Sequence, residues 1–248
     1  MSFYELEIEF LNRVADKYKT EKQHISKFAI ESYIDIFKSY LLNNKKALEL
    51  GCSSGYSTKL IYNLIKDLTV VDGSYKMIEK AKKTLGNKEI VFRCELFENM
   101  DENIKYDYVF ANYIFEPIKE PEVLINKIYN ILKNDGLCFI TVPNAKALSR
   151  QMAKEMGLIN DIYSLTENDI NHGHRRVYDM ELLINSFKSS RFEAVDKGGV
   201  FIKQFADFQL EKMIEQQIIG DEQLIAMRKI AKIYPEISGS IYIILKKI

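Results

Sequence analysis

Between a short apolar run, Ala47 to Leu50, and a helical pattern from about Tyr56 to Lys66 lies the stretch Glu49-Leu-Gly51-Cys-Ser-Ser-Gly55. Glycines at such a strand-to-helix turn let the backbone fold tightly and approach a ligand, and the first turn of the helix offers N–H groups without intrahelical partners. About twenty residues further on stands Asp72, at the predicted tip of the next strand, where a carboxylate can accept both hydroxyls of a ribose. A nucleoside-containing ligand is the natural reading. The pyrophosphate loop GxGxxG needs a glycine where this chain has Cys52 and Ser53, and no Gly-Lys-Ser/Thr follows as in a P-loop. Gly51, Ser53 and Gly55 also satisfy GxSxG, so a serine hydrolase using Ser53 is an alternative, with His172 and His174 downstream in the order a triad needs. Against it, one strand only precedes Ser53, and no glycine before Gly51 could build an oxyanion hole. A turn that binds nothing is the third option.

A second cluster lies far downstream. Asn171-His172-Gly173-His174-Arg175-Arg176-Val177-Tyr178 holds two of the three histidines beside two arginines. Arginine makes bidentate contacts to phosphate or carboxylate, so the cluster suits an anionic small molecule. Asn144, Arg150, Arg175, Arg176, Tyr178 and, after Gly198-Gly199, Lys203 form the expected substrate site. The alternative is a solvated basic loop or salt bridges to the sheet. Where the substrate must lose a proton, a histidine of ordinary pKa near ~6.5 can take it, which makes His172 and His174 the candidate catalytic bases. A His-x-His metal pair would lack a nearby third ligand, and no metal is expected.

Positioning these groups requires a packed protein, and the composition provides one: 47% hydrophobic and 28% charged residues, with 11 Gly and 4 Pro in 248 residues. Lys plus Arg and Asp plus Glu both total 35, so no excess positive charge exists to gather a phosphate backbone, and nucleic acid is not an expected partner. The acidic opening MSFYELEIEF is unlike a secretory leader, and no apolar stretch approaches the ~20 residues of a membrane helix. A soluble, cytoplasmic protein is expected. Cys52, Cys94 and Cys138 are odd in number and follow no CxxC pattern, so they read as small buried residues.

Residues 1–44 lack Gly and Pro, and Ile25, Phe28, Tyr33, Phe37 and Leu41 recur at helical spacing, which predicts an α-helical preface. Strands are expected at 47–50, 68–71, 90–92, 107–111 and 137–142, the last after an Asn134-Asp135-Gly136 turn. Helices fall between them, one starting at Ser74 and one spanning 122–132. Such alternation demands a parallel sheet covered on both faces. Residues 144–180 break the rhythm and are expected to form a lid over the carboxyl ends of the strands. Two late strands, at 192–195 and 241–245, bracket a helical segment over 205–233, which could cap the site or pair two subunits as a homodimer. The whole chain, 1–248, is read as one domain.

In order, ALELGCSSGYS, VVDGSYKMIEKAK and YDYVFANYIFEPIKEPEVLINKIYNILKNDGLCFITVPNA resemble successive motifs of class I S-adenosylmethionine-dependent methyltransferases, over roughly residues 45–145. Singly the motifs are weak; their order and spacing make the combination specific. The resemblance implies an α/β, Rossmann-like, seven-stranded, mostly parallel sheet with helices on both faces. It also implies roles for residues of this chain. Glu49, Gly51, Ser53 and Gly55 would surround the methionine moiety of the cofactor, Asp72 would hold its ribose, and Gly73 and Met77 would flank the adenine. Leu96 and Phe97 would close on the ring, with Glu95 beside N6, and Asn112 would approach the sulfonium. Tyr18 would cover the cofactor from outside. For Tyr18, Met77 and Phe97 the alternative is ordinary core packing.

Many relatives carry Leu-Glu-His after the fourth strand, where this chain has Phe115-Glu116-Pro117, so no base is expected from that loop. The lid and its sequel, from VPNAKALSRQMAKEMGL through HGHRRVYDMELL to GGVFIKQFADFQ, resemble a subgroup linked to surface-polysaccharide and small-metabolite biosynthesis. The expected reaction is methyl transfer to an oxygen of a small anionic or sugar-linked metabolite, such as a capsular polysaccharide precursor or a phosphoramidate. Such a transfer is an in-line displacement, so the protein mainly positions the acceptor and excludes water. Base methylation of nucleic acid is not expected, because Asn112-Tyr113-Ile114-Phe115 lacks the prolines of the usual motif. A non-catalytic cofactor-binding protein is the alternative from another class.

Overall fold

A computed structural model describes residues 3–17 and 24–248, and Tyr18 lies outside the described residues. The preface forms two helices, α1 (Phe3–Lys17) and α2 (His24–Phe37). The alternating core follows as β1 (Lys46–Leu50), α3 (Tyr56–Leu64), β2 (Asp67–Asp72), α4 (Tyr75–Leu85), β3 (Val91–Cys94), β4 (Tyr106–Asn112), α5 (Pro121–Ile131) and β5 (Leu132–Pro143). Local chemistry explains the starts: the Ser74 hydroxyl caps α4 by accepting the Met77 N–H at 3.3 Å, and Pro121 occupies the first turn of α5. The expected lid contains α6 (Leu148–Glu155) and α7 (Glu167–Asn171), the latter opened by a Thr166–Asp169 capping box. Then come α8 (Met180–Ser186), β6 (Phe192–Gly199), α9 (Asp207–Glu215), α10 (Asp221–Ala231) and β7 (Ser240–Lys247).

The seven strands form one sheet in the order β3-β2-β1-β4-β5-β7-β6, in which β7 alone runs opposite to the rest. The order reverses between β1 and β4, and open α/β sheets place ligands at the carboxyl ends of the strands beside such a reversal. Successive residues of β4 point to opposite faces: Phe110 joins Phe37, Ile61 and Phe139 on one side, and Val109 joins Leu124, Ile128 and Leu183 on the other. Phe110 and Phe139 stack at 4.9 Å, and Phe37 lies 4.9 Å from Phe139, so α2 is anchored to the middle of the sheet.

Two elements differ from the sequence reading. Asn134-Asp135-Gly136 lies inside β5, because Leu132 already pairs with Tyr106; a register shift between Tyr106 and Tyr108 absorbs the extra residues, with Asp135 at φ 61°. The helical segment over 205–233 is two helices, broken where Gln217 adopts φ 57° and the Gly220 N–H donates to Gln223 Oε1 at 2.9 Å. Both helices pack on α2: Glu211 accepts the Ile25 N–H at 2.8 Å, and Arg228 pairs with Asp35 at 2.7 Å. Among the described residues no helix is long and apolar enough to cross a membrane, and no group of His, Cys, Asp and Glu could hold a metal ion.

Candidate functional site

The turn after β1 passes through the left-handed region three times, at Gly51 (φ 74°), Ser53 (φ 47°) and Gly55 (φ 84°). Space as well as conformation demands the glycines, since a Cβ on Gly55 would lie 2.8 Å from the Ala81 Cα, and one on Gly51 2.5 Å from the Ile114 Cδ1. Asp72 fastens this turn to the next one: its carboxylate accepts the Cys52 N–H at 3.0 Å and the Ser74 N–H at 2.7 Å. Burial pushes its pKa up, against the pull of these donors. Its Oδ2 also accepts the Cys52 thiol at 3.5 Å, so ligand hydroxyls would share a carboxylate that already holds both turns together.

Along the carboxyl ends of the central strands runs a set of buried polar groups without hydrogen-bond partners. Glu49, on β1, gives one oxygen to the Ser57 hydroxyl at 2.5 Å and leaves Oε2 unpaired. Burial pushes its carboxyl up to about 7. Both polar atoms of the Asn112 amide are unpaired at the end of β4, as is the Thr141 hydroxyl opposite it on β5. Just beyond β4, Glu116 is 0% exposed with neither oxygen bonded, and burial pushes it up to about 7 as well. An unpaired buried polar group costs roughly 1–3 kcal/mol, so such a row is the surface a polar ligand would satisfy. Together with the glycine cradle and Asp72, it fits a ligand carrying ribose hydroxyls and a positive charge.

On the adenine side, Gly73 touches both expected and unexpected neighbours: a Cβ there would meet Leu96 at 3.1 Å and also Leu11 of α1. Met77 is buried with Ile78 and Ala81 under α4, and Phe97 packs on the opposite apolar layer. The helix α1 spans the site. Its Asn12 accepts the Ser74 hydroxyl at 2.8 Å, its Asp16 pairs with Lys76 at 2.7 Å, and Glu7 nearer its start pairs with Arg175 at 3.1 Å. Phe10 lies beneath the Arg175 guanidinium at 5.2 Å. The cofactor turn and the His-Arg cluster are thus joined by one helix.

Within that cluster the guanidinium groups bind protein rather than open space. Arg150 donates to Ile162 O at 2.9 Å, to Asp169 at 3.0 Å and to Ser164 O. Arg175 Nε donates to Pro117 O at 2.8 Å, and Arg176 donates to Phe115 O at 3.0 Å, to Lys119 O at 3.1 Å and to Ile118 O. Asn144 is likewise committed, donating to Glu236 O and Ser238 O, both at 2.8 Å. Lys203 pairs with Asp207 across one turn and lies along Gly239, while Tyr178 is buried, which raises its pKa. His172 contacts Asn168 O at 2.7 Å, and its ring lies 6.1 Å from that of His174. His174 Nδ1 stands 3.4 Å from Asp169 Oδ1 without hydrogen-bond alignment. Burial works to raise the Asp169 pKa, but His174, Thr166 and Arg150 outweigh it and hold the carboxyl well below the usual range.

Sequence reasoning passed over Glu116, Asp169 and Thr141. The available signal for Glu116 was its place in the stretch after the fourth strand, where it keeps the acid of Leu-Glu-His although the histidine is replaced by Pro117.

A family model described as a methyltransferase domain matches residues 16–197. Malonyl-[acyl-carrier protein] O-methyltransferase of Bacillus cytotoxicus is 33% identical over 102 residues, which is 40% of this chain and 36% of that protein. The chain therefore spans about a third of that relative's length. Among solved structures, magnesium protoporphyrin IX methyltransferase of Synechocystis PCC 6803, bound to S-adenosylhomocysteine, superposes with a TM-score of 0.65 at 12% identity, covering 98% of this chain and 99% of that one. The N-methyltransferase NodS of Bradyrhizobium japonicum, with the same ligand, gives 0.61 at 11% identity and covers 99% of each chain. At such identities the structures speak for the fold, while the family model, matching most of the chain, speaks for descent. The chain belongs to the methyltransferase-domain family, in its class I, S-adenosylmethionine-dependent form.

Proposed function

We propose that the chain transfers a methyl group from S-adenosylmethionine to an oxygen of a small molecule. The observation that carries this reading is the row of unpaired buried groups, Glu49, Asn112, Thr141 and Glu116, beside the Gly51–Gly55 turn. When bound, the cofactor supplies a methyl carbon activated by the adjacent sulfonium. Asp72 accepts the ribose hydroxyls, the glycine turn and Ser53 hold the methionine end, and Glu49 and Asn112 meet its ammonium and sulfonium groups. Gly73 and Leu96 border the adenine; Met77 and Phe97 hold the walls behind it. A sheltered, pre-oriented site is most of what the displacement needs.

The acceptor reaches the methyl group from the side of His172, His174, Asn144 and Tyr178. Arg175, paired with Glu7 at 3.1 Å, meets an anionic part of it by exchanging the Glu7 carboxylate for the acceptor. For Arg150 and Arg176, whose donors hold the lid to itself and to the segment after β4, and for Lys203, paired with Asp207, we propose the role of shaping the acceptor site. The narrower assignment to surface-polysaccharide precursors rests on the resemblance of the lid alone, and pairing of two copies would use the exposed Phe208, Ile218 and Ile233 of the C-terminal helical region. The test is incubation with methyl-labelled S-adenosylmethionine and a panel of hydroxyl- and carboxyl-bearing metabolites. Label in an oxygen-linked methyl group is expected; label only on nitrogen or carbon acceptors contradicts the proposal.

A further inference from the structure

The two helices of the preface are held very differently. Helix α2 buries Ile25, Ala29, Tyr33, Ile34 and Phe37, whereas among the described side chains of α1 Ala15 alone is buried. A helix with so little apolar burial has low local stability and opens without the rest of the fold. Yet α1 lies across the turn after β2. Leu11 packs on Gly73, where a Cβ would come 2.4 Å from the Leu11 Cδ1, and Asn12 accepts the Ser74 hydroxyl at 2.8 Å. Asp72 immediately precedes these two residues and is buried.

The ends of α1 are also held differently from one another. At the C-terminal end, α4 supplies two lysines: Lys80 donates to Ala15 O at 2.6 Å, and Lys76 pairs with Asp16 at 2.7 Å. At the other end, about 14 Å away by the usual helical rise, Glu7 pairs with Arg175 at 3.1 Å. Between them Phe10 and Val14 rest on Gly173, where a Cβ would lie 3.1 and 3.2 Å from their side chains. Arg175 does not depend on Glu7 for its place. Its Nε donates to Pro117 O at 2.8 Å, and its main-chain N–H donates to Glu116 O at 2.9 Å. If Glu7 withdraws, an incoming anion finds the guanidinium already oriented.

We propose that α1 is a strap hinged on α4, that the Glu7–Arg175 ion pair is its catch, and that an anion on the acceptor opens the catch by taking Arg175 from Glu7. This assigns a regulation to the methyltransferase site and rests on that reading. Glu7 occupies Arg175 while the acceptor is away. Once the acceptor is seated, the strap keeps its hinge and loses its far attachment, so Asp72, Gly73 and Ser74 are uncovered more often. The spent cofactor can then leave while the methylated product still holds Arg175, and departure of the product lets Glu7 close the strap again. By linkage, the anion and the nucleoside weaken each other's binding by one common factor. A half-exposed ion pair sets that factor at about two- to fivefold.

Hydrogen exchange read by mass spectrometry on the whole chain tests the catch. In ligand-free protein, residues 5–16 should exchange faster than residues 25–37; equal protection of the two helices overturns the strap. Glu7→Gln should speed exchange over 5–16 by about two- to fivefold and leave 25–37 unmoved. Inorganic phosphate is the probe for the anion, compared with chloride at equal ionic strength, and the wild-type readings need no variant to fold. Phosphate should speed exchange over 5–16 in wild-type protein but not in Glu7→Gln, and should raise the dissociation rate of S-adenosylhomocysteine by the same factor. No effect of Glu7→Gln on α1, or phosphate acting no more strongly than chloride, overturns the proposal. Failure of wild-type protein to bind S-adenosylhomocysteine would instead strike the methyltransferase reading, and the exchange of α1 in the ligand-free protein would still judge the catch.

Discussion

At the scale of single residues, Glu49 turns burial into a pH signal. Its carboxyl, pushed up to about 7 by burial, is largely neutral below that pH in the free protein. A bound ligand carrying ammonium and sulfonium groups favours the charged form, so binding below pH 7 must expel a proton. The free protein holds that proton and the complex does not; affinity for S-adenosylmethionine should therefore fall as pH drops through 7, by up to about tenfold per pH unit. Calorimetry in buffers of different ionisation enthalpy measures both the affinity and the proton released. Glu49→Gln should flatten the profile, and a flat wild-type profile would show that Glu49 does not face the cofactor's charge. The glycine turn and Asp72 were legible in the sequence because backbone demands are written in residue type and spacing. The partners of Arg150, Arg175, Arg176 and Asn144 were not, because these side chains bind main-chain carbonyls, which sequence does not distinguish one from another. Glu116 escaped for a related reason: whether a carboxyl is paired is visible only once the loops are laid together.

Among the elements, the turn after β1 is the most constrained. Gly55 combines φ 84° with the near approach of Ala81, so Gly55→Ala forces both backbone strain and a clash with α4. A loss of about 2–4 kcal/mol in unfolding free energy is expected, read from urea melts. Gly157, at φ 69° with nothing within 4 Å of a Cβ, is the control, and Gly157→Ala should cost only about 1 kcal/mol. Equal losses at the two sites would mean that packing against Ala81 is not what holds the turn. The strand-helix alternation was readable because each buried strand is a short apolar run between turn residues, as in β1 and β2. The break between α9 and α10 was less so. It depends on Gln217 adopting a left-handed conformation, which residue type does not announce. Asn134-Asp135-Gly136 does disrupt the chain as its composition suggests, but inside β5, since Leu132 finds a partner in Tyr106 before the irregularity begins.

On the scale of the whole molecule, the strand order places the reversal between β1 and β4 directly at the glycine turn, and every unpaired group of the row lies at that end of the sheet. Helix α1 closes over the same end and links the β2 turn to the His-Arg cluster, so ligand-binding and acceptor-binding parts share a cover. That sharing was beyond the sequence, which marks the preface as helical without saying what it covers. The central claim is that this end of the sheet grips a nucleoside bearing a sulfur-linked amino acid. Titration of the purified chain with S-adenosylhomocysteine tests it most directly: one equivalent should bind with measurable heat and raise the melting temperature, and Asp72→Ala should weaken binding at least tenfold, about 1.4 kcal/mol. No heat and no melting shift at saturating ligand would contradict the account.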